Sequence, residues 1–304
     1  MNQVFALGEA TYDILFVNEK PVEARIGGSV LNTSVSLGRL GIPVHFVGTI
    51  ANDRIGKMTM KFLEENKVSV SYVQTFEGNS RIALAFLDEN HNSEYSFYPA
   101  TGKTAHRFPA VKENDIVLFG SSYALRDDLR SDLLNFLHQA AGQQAMILYD
   151  PNFRKSQLPM LHALKPKIEE NISLCHLLKG SDEDFLSIFG CSPQQTFSLV
   201  QKFSRAVMIC TAAEKGVYVL TEKIQKHYEV PPVSPVSTIG AGDTFTAGII
   251  YTLYKHHLSP LQLQSLPEPF WDNVVDTAVK FAQHVCLSYE NYLSVDFASA
   301  FRIR

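Results

Sequence analysis

Apolar and polar positions follow a regular alternation along most of the chain. Short runs rich in β-branched and aromatic residues predict strands at 3–8, 44–49, 115–120, 145–150, 174–178 and 206–211. Between them, amphipathic stretches predict helices at 29–40, 54–66, 126–141 and 182–189. The first of these helices ends at a glycine followed closely by a proline, Gly41 and Pro43. Strands that alternate with helices in this way indicate βαβ units around a mostly parallel sheet.

The early part of the chain departs from this alternation. Residues 80–88 and 94–98 are two strand-like runs joined by the polar residues 89–93, which predicts an antiparallel hairpin. Residues 11–25 are also strand-like and could pair with that hairpin. A later hairpin is predicted at 216–220 and 223–230. We therefore expect a single α/β domain over residues 1–304, with a small β-sheet lid formed by about 11–25 and 75–100.

Composition and charge narrow the class of protein. The chain has 304 residues, of which 45% are hydrophobic and 19% charged, so it has enough apolar side chains for a large core. A net charge of −4 argues against a strongly basic nucleic-acid binder. The first residues lack a cationic start before an apolar block, and no apolar run is long enough to span a membrane, so we expect neither a signal peptide nor a membrane-spanning helix. The 4 cysteines form no CxxC pair, and we expect each of them to be a small buried apolar side chain. We expect a cytoplasmic protein with no nucleic-acid or membrane partner.

The most informative motif is the Gly-Ala-Gly-Asp sequence at residues 240–243. Two glycines around an alanine leave successive backbone N–H groups accessible at the start of a helix, whose apolar stripe is Phe245, Ile249 and Leu253. Such a helix start attracts anions, and the Asp243 carboxylate lies beside it. On this motif alone, an anion site and a simple helix cap by Asp243 are equally good interpretations.

Several motifs together resemble the ribokinase-like (PfkB) carbohydrate kinases. The Gly-Ala-Gly-Asp helix start is similar to the second signature of that family, and the Gly-Gly pair, asparagine and helix of residues 27–41 resemble the first. The Gly-Glu-Ala-Thr-Tyr-Asp opening at 8–13, the Asp-Pro-Asn-Phe-Arg sequence at 150–154 and the Lys-Gly-Ser-Asp-Glu-Asp sequence at 179–184 follow in family order. The correspondence runs from about residue 4 to residue 285.

The resemblance implies a fold and a reaction. The fold is the ribokinase-like three-layer α/β/α sandwich with a mostly parallel central sheet and a small β-sheet lid. The reaction is transfer of the γ-phosphoryl group of Mg-ATP to a sugar hydroxyl, with Asp243 as the catalytic base and Gly240, Ala241 and Gly242 as the anion hole. The motifs look most like those of the fructokinase group, so fructose is the expected substrate. Ribokinase, 2-keto-3-deoxygluconate kinase and nucleoside kinase activities remain alternatives.

The same resemblance assigns the other site residues. The sugar would be held by Asp13, Gly28, Asn32 and Arg154, of which Arg154 would also face the ATP phosphates. The nucleotide would be held by Asn152, Lys179, Thr211, Gly216 and Gly242. Asp184 would act on Mg²⁺ through a water molecule. Taken singly, these residue types also occur in turns, as Asx residues bonded to the backbone and as solvated surface charges.

Four departures from the family pattern bear on these roles. Ser237 stands where an aspartate associated with a monovalent cation is usual, which counts against potassium activation. Asp184 replaces the usual glutamate, and Ala213 replaces a usual glycine near the nucleotide. Residues 288–292 lack the glycine often found beside the adenine. These departures keep open a second hypothesis, a non-catalytic relative that binds a sugar or nucleotide for regulation.

The predicted lid suggests a partner. A small sheet made from 11–25 and 80–98 would leave a face or an edge in need of cover. The expected partners are therefore a sugar and ATP, with a homodimer through the β lid as the expected assembly.

Overall fold

The computed structural model describes residues 2–87, 93–102 and 105–303, with side-chain surroundings undescribed at 87, 93 and 94. Within these ranges the strands are β1 (Val4–Leu7), β2 (Thr11–Val17), β3 (Lys20–Gly27), β4 (Val44–Ala51), β5 (Val68–Phe76), β6 (Ile82–Leu87), β7 (Ser93–Tyr98), β8 (Ile116–Gly120), β9 (Met146–Asp150), β10 (Leu177–Ser181), β11 (Val207–Thr211), β12 (Val217–Leu220) and β13 (Gln225–Tyr228). The helices are α1 (Ser29–Arg39), α2 (Arg54–Glu65), α3 (Arg130–Gly142), α4 (Leu161–Leu174), α5 (Asp182–Phe189), α6 (Pro193–Val200), α7 (Ala241–Lys255), α8 (Glu268–Cys286) and α9 (Val295–Ser299).

The chain divides into two compact units. The unit called here the central unit comprises Met1–Asn2, Ala110–Pro232 and Thr252–Thr277. The unit called the terminal unit comprises Gln3–Pro109, Val233–Tyr251 and Ala278–Arg304. Each unit brings together segments that are distant in sequence, so neither could be recognised from a linker.

The terminal unit contains three parallel strands in the order β1-β4-β5. Helix α1 packs on β1 and β4, and α2 packs on β4 and β5. The first turn of α2 is capped by Asp53, whose carboxylate accepts the N–H of Gly56 at 2.7 Å. Helix α1 ends as the glycine signal predicts, because Gly41 takes a left-handed φ of 80° that side-chain-bearing residues adopt with strain.

A separate four-stranded sheet in the same unit has the order β3-β2-β6-β7. Strands β6 and β7 form the predicted antiparallel hairpin, and β2 pairs with β6 in parallel. Residues 88–92 of the predicted hairpin connection lie outside the described residues. The strand-like run 11–25 is two strands, because Asn18 and Glu19 have φ values of 49° and 61° and turn the chain back on itself.

The central unit is built on a mostly parallel six-stranded arrangement in the order β13-β12-β11-β10-β9-β8. Strands β8 to β11 run parallel, whereas β12 and β13 form the predicted late hairpin and add antiparallel strands at one side. Strands β8 and β9 are buried along their whole length, and β11 is buried in all but its last residue, as in sheets covered by helices on both sides.

Two predicted boundaries in the central unit are wrong. The strand expected at 174–178 is β10, at Leu177–Ser181, because residues up to Leu174 belong to α4. Helix α4 was not predicted, although Ile168, Asn171 and Ile172 are buried at helical spacing. The helix expected at 126–141 begins at Arg130 and follows a short 3₁₀ turn, Ser122–Leu125.

All four cysteines lie in the described part of the chain and none forms a disulfide. Cys175, Cys210 and Cys286 are buried as predicted, and burial raises the pKa of each of these thiols. Cys191 differs from the prediction because it is only half-buried. Among the described residues, no helix is both long and apolar enough to cross a membrane.

Candidate active site

The Gly-Ala-Gly-Asp motif forms the start of α7 in the terminal unit. Gly240 has a φ of 82°, and a Cβ atom there would lie 2.2 Å from the carbonyl oxygen of Asn291. Its own carbonyl accepts the N–H and the hydroxyl of Thr244, both at 2.9 Å. The Ala241 N–H already donates to the Thr238 carbonyl over 3.3 Å. The tight approach to Asn291 explains why this position is a glycine.

The Asp243 carboxylate reaches across to the first turn of α1. The Ser29 hydroxyl donates to Oδ1 at 2.7 Å, and the Asn32 side-chain amide donates to Oδ2 at 2.8 Å. The Thr33 hydroxyl donates to the backbone carbonyl of Asp243 at 2.9 Å. Helices that begin more than 200 residues apart in sequence thus meet at one carboxylate.

In the Asn32 side chain, the amide nitrogen makes a hydrogen bond to a described residue and the amide oxygen does not. Asn32 is 3% exposed, and its Oδ1 is buried without a hydrogen-bond partner in the described part of the chain. A buried acceptor without a donor is unfavourable and rare in proteins, so it marks a place where a ligand or water supplies the donor. The backbone N–H of Asn32 bonds to the carbonyl of Gly28, which holds the side chain at the start of α1.

Asp13 lies on β2, opposite Arg25 of β3. It is 9% exposed and accepts the Thr11 hydroxyl at 2.5 Å. A Cβ atom on Gly27 would lie 2.0 Å from Asp13 Oδ2, and one on Gly28 would lie 2.4 Å from the Glu9 carbonyl. The glycine pair therefore makes room for the Asp13 carboxylate and for the chain at Glu9.

A second group of predicted site residues lies in the central unit, where β9 ends. The Lys179 ammonium donates to Asp150 Oδ2 at 2.9 Å, and both side chains are buried. Asp150 Oδ1 accepts the N–H of Asn152 at 3.2 Å. Asn152 has a φ of 40°, and its Nδ2 is a buried donor for which the described residues offer no acceptor. Left-handed backbone at a non-glycine residue is a form of strain found at functional sites.

Asp184 is engaged by the chain on both sides. Its Oδ1 accepts the N–H of Phe153 at 2.7 Å, and its Oδ2 accepts the N–H and hydroxyl of Ser181 at 2.7 and 2.8 Å. Burial raises the pKa of the Asp184 carboxyl above its ordinary value, and the nearby negative charge of Asp150 adds to the rise. These bonds cap α5 and hold the chain just before Arg154.

The remaining predicted nucleotide residues lie around β11 and β12. The Thr211 hydroxyl is 3.5 Å from the Gly180 carbonyl, the upper limit for a hydrogen bond. Gly216 has a φ of 108°, and a Cβ atom there would lie 2.2 Å from the Tyr228 carbonyl, so the β12–β13 hairpin itself requires a glycine. Ala213 has a φ of 46°, which explains why a glycine would be the less strained residue at this position.

Comparison with known proteins agrees with the predicted family. Residues 1–286 match the pfkB family carbohydrate kinase. The chain belongs to the pfkB family of carbohydrate kinases. A fructokinase from Vibrio alginolyticus is 24% identical to this pfkB kinase over 263 residues, covering 84% of this chain and 85% of the relative. The predictions of the family and of a sugar kinase are confirmed.

Solved structures of pfkB-type kinases share the fold over the full chain. A fructokinase from Vibrio cholerae O395, in its fructose, ADP and calcium ion bound form, has a TM-score of 0.85 and 20% identity, covering 100% of this chain and 99% of its own. An aminoimidazole riboside kinase from Salmonella enterica, complexed with aminoimidazole riboside and an ATP analog, has a TM-score of 0.83 and 18% identity, covering 99% and 98%. The predicted ribokinase-like α/β fold with a small second sheet is confirmed.

The structure of this pfkB kinase places the predicted site residues in two groups, one in each unit. In the terminal unit, Asn32 contacts Asp243 directly, while Asp13 and Gly28 lie along the neighbouring glycine pair. In the central unit, Lys179, Asn152 and Asp184 surround the end of β9. Arg154 is half-buried and begins the 3₁₀ turn Lys155–Met160.

Ser29, Thr33 and Asp150 were not predicted as site residues. The available signal was spacing, because hydroxyls at 29 and 33 and the amide at 32 share one face of α1. Ser29, Thr33 and Asp150 all lie within motifs of the family resemblance, which assigns a role to none of them. Among the described residues, no cluster of three or more His, Cys, Asp or Glu side chains is arranged to hold a metal ion.

Proposed function

We propose that this chain phosphorylates fructose, transferring the γ-phosphoryl group of ATP to a hydroxyl of the sugar. The observation that carries the proposal is the Asp243 carboxylate, which stands at the start of α7 beside Gly240, Ala241 and Gly242 and is held by α1. A base is needed where a hydroxyl is made into a nucleophile, and a helix start stabilises negative charge. Asp243 would act as the base, and the Gly-Ala-Gly turn would stabilise the negative charge.

The proposed step is a single displacement. The sugar oxygen forms a bond to the γ-phosphorus of ATP as its proton passes to a carboxylate oxygen of Asp243. The bond between the γ-phosphorus and the bridging oxygen breaks, and its electron pair leaves with ADP. Because such transition states are loose, positioning and charge stabilisation contribute more than the strength of the base. The backbone N–H groups of Gly240 and Gly242 would stabilise the charge on the transferred group, since that of Ala241 donates to the Thr238 carbonyl.

Sugar binding is proposed for the groups around the glycine pair. Asn32 Oδ1 is a buried acceptor without a partner in the described residues, and a sugar hydroxyl would supply the missing donor. The buried Asp13 carboxylate on β2 would accept further hydroxyls, and Gly28 allows the chain to approach closely. Arg154 would contact the substrate or the phosphates through its planar guanidinium.

ATP binding is proposed for the central-unit residues Asn152, Lys179, Thr211 and Gly216, together with Gly242. The unpartnered Asn152 Nδ2 is the clearest support, since it is a buried donor with no described acceptor. Mg²⁺ would be held through water by Asp184, whose Oδ1 accepts only one described hydrogen bond, and when bound it would neutralise phosphate charge. Ser237 Oγ accepts the N–H of Ile239 at 3.2 Å, and we propose no monovalent-cation requirement.

A second substrate class has support from one comparison. The aminoimidazole riboside kinase matches the fold nearly as well as the fructokinase does, with TM-scores of 0.83 and 0.85. A riboside therefore stands beside fructose as a candidate acceptor, with ribose, 2-keto-3-deoxygluconate and adenosine as the other family substrates to test. The cytoplasm, where ATP is supplied, is the proposed setting.

The test is an ADP-release assay with each acceptor, on the wild type and on Asp243→Asn. General-base catalysis contributes about 10²–10⁴-fold, so the variant should lose that much turnover while still binding ATP. Asp296→Asn is the matched control, because Asp296 is an exposed acid in the first turn of α9.

The possible results distinguish the hypotheses. Fructose turnover that is lost in Asp243→Asn and kept in Asp296→Asn supports the proposal. Near-normal turnover of Asp243→Asn would remove Asp243 from the base role. Binding without turnover on every acceptor would favour the regulatory, non-catalytic alternative, and turnover of the riboside alone would replace fructose as the substrate.

We further propose that the four-stranded sheet acts as a lid and as the contact of a homodimer. Phe16 and Phe86 stack at 4.8 Å between ring centres on a face that is only half-buried. That face is formed by alternate residues of β2 and β6, namely Tyr12, Ile14, Phe16, Ile82, Leu84 and Phe86. Sedimentation at micromolar concentration should show a dimer that Leu84→Glu dissociates, and a wild-type monomer would contradict the proposal.

A further inference from the structure

Asp243 occupies the third position of its helix, where a carboxylate has another common orientation. Acids at this position often turn back to accept the N–H of the residue that caps the same helix. Asp184, the third residue of α5, does so with the N–H of Ser181 at 2.7 Å. The Asp243 carboxylate is directed to the side chains of α1 by two hydrogen bonds. The donors on α1 therefore help to determine the direction in which this carboxylate points.

Ser29 is suited to that task. It is the first residue of α1, and its hydroxyl donates to Asp243 Oδ1 at 2.7 Å, while Asn32 holds Oδ2. Hydrogen bonds to a charged acceptor are short and roughly twice as strong as neutral ones. Because α1 places a donor on each oxygen, rotation of the carboxylate about its Cβ–Cγ bond would break both of these bonds.

The position of the Ser29 hydroxyl is itself well defined. The Thr33 hydroxyl lies 3.2 Å from the Ser29 carbonyl and 2.9 Å from the Asp243 carbonyl, so it joins the two backbones beside the carboxylate. Gly28 precedes Ser29 with a φ of 116°, a conformation that places α1 close to Glu9. The donor therefore stands on backbone that is held from two sides.

We propose that Ser29 is a positioning residue, whose hydroxyl holds the Asp243 carboxylate in the orientation in which it accepts the proton of the sugar hydroxyl. This inference rests on the proposed function, in which Asp243 is the base. Each carboxylate oxygen accepts more than one hydrogen bond, so Ser29 can stay bonded while the sugar hydroxyl approaches. Loss of the hydroxyl leaves Asn32 as the remaining side-chain donor from α1 and frees the carboxylate to turn toward its own helix.

The experiment compares Ser29→Ala, Ser29→Thr and Ser34→Ala by steady-state kinetics with the wild type's own acceptor and ATP. Ser29→Ala removes the donor, and Ser29→Thr keeps a hydroxyl at the same position. Ser34→Ala is the control, because Ser34 is a buried serine of the same helix whose hydroxyl bonds to the Val30 carbonyl at 2.7 Å. Thermal unfolding of each variant checks that the helix is intact.

We expect Ser29→Ala to lower kcat about 30-fold, equivalent to about 2 kcal/mol at 1.36 kcal/mol per tenfold, with the KM for ATP unchanged. Ser29→Thr should keep most of kcat, and Ser34→Ala should match the wild type. A wild-type kcat in Ser29→Ala would overturn the inference. A rise in sugar KM at constant kcat would also overturn it, because Ser29 would then bind sugar.

Two further outcomes keep the test decisive. If Ser29→Thr unfolds at the wild-type temperature but loses as much kcat as Ser29→Ala, the hydroxyl is not the cause and the inference fails. If Asp243→Asn retains near-normal turnover, Asp243 is not the base, and the positioning role of Ser29 is rejected together with the proposed function. An inactive Asp243→Asn together with a fully active Ser29→Ala would reject the positioning role alone.

Discussion

Gly240→Ala tests how far the geometry of the α7 start depends on one missing methyl group. Gly240 has a φ of 82°, and the added Cβ would lie 2.2 Å from the Asn291 carbonyl oxygen. Left-handed backbone costs a residue with a side chain about 1–2 kcal/mol. Contacts of a real Cβ to such an oxygen are rarely closer than 3 Å, so Gly240 or Asn291 must also shift by roughly 1 Å. The free-energy costs of the backbone strain and of the displacement should add.

Gly190→Ala separates these two effects. Gly190 ends α5 with a φ of 70°, and a Cβ there would meet nothing within 4 Å. It should therefore show the backbone strain alone, about 1–2 kcal/mol, and keep full turnover. Gly240→Ala should lose more stability and, because a displacement of about 1 Å can reduce catalysis roughly 10²-fold, should lose kcat by a similar factor.

The assay is urea unfolding of both variants alongside ADP release with the accepted sugar. Equal losses of stability in the two variants, together with wild-type kcat in Gly240→Ala, would refute the reasoning. That result would mean that the Asn291 segment gives way without moving Asp243.

Two further predictions concern buried groups of the central unit. Lys179→Met leaves the buried Asp150 carboxylate without its cation and should lower the free energy of unfolding by about 3–5 kcal/mol. The double variant Lys179→Met with Asp150→Asn should recover most of that loss. Urea unfolding measures both values, and a double variant as unstable as the single one would contradict the prediction. His176 Nδ1 accepts the N–H of Ile147 at 3.0 Å, and burial lowers the pKa of its imidazole from 6.5 to about 4. As the pH falls, the unfolded chain takes up a proton at this histidine before the folded chain does. The stability should therefore be complete at about pH 7.5 and above, and should fall by about 2 kcal/mol between pH 7.5 and pH 5. His176→Asn keeps a hydrogen-bond acceptor but has no group that titrates in this range, so it should remove this part of the pH dependence of stability. An unchanged slope of stability against pH would show that His176 is not its cause.

The central-unit site illustrates a limit of motif reading. The Asp-Pro-Asn-Phe-Arg motif suggested Asn152 and Arg154 but not how they are held. The structure shows that Asp150 and Asp184 accept the N–H groups of Asn152 and Phe153 in turn. Both carboxylates accept backbone N–H groups of the segment 152–153. This role depends on the pairing of β9 with β10, which brings the start of α5 to the end of β9, and it has no signature in the spacing of the motif.

Local signals in the sequence determined much of the fold of this protein. Alternating apolar runs predicted most strands, and glycines and prolines marked where α1 ends. They did so because hydrophobic period and turn chemistry act over a few residues. They misplaced β10 and missed α4, because the boundary at Leu174 depends on which residues are buried against neighbouring elements.

The motifs by themselves determined the family and the residue types of the candidate site. Only the tertiary structure decided that the Asp243 carboxylate is held by Ser29 and Asn32, that Asn291 excludes a side chain at Gly240, and that Asn32 keeps a buried acceptor free of described partners. Hydrogen bonds between residues more than 200 positions apart exist only after the helices have packed. Sequence patterns record what each segment needs locally, whereas the orientation of a carboxylate is set by whatever packing places opposite it.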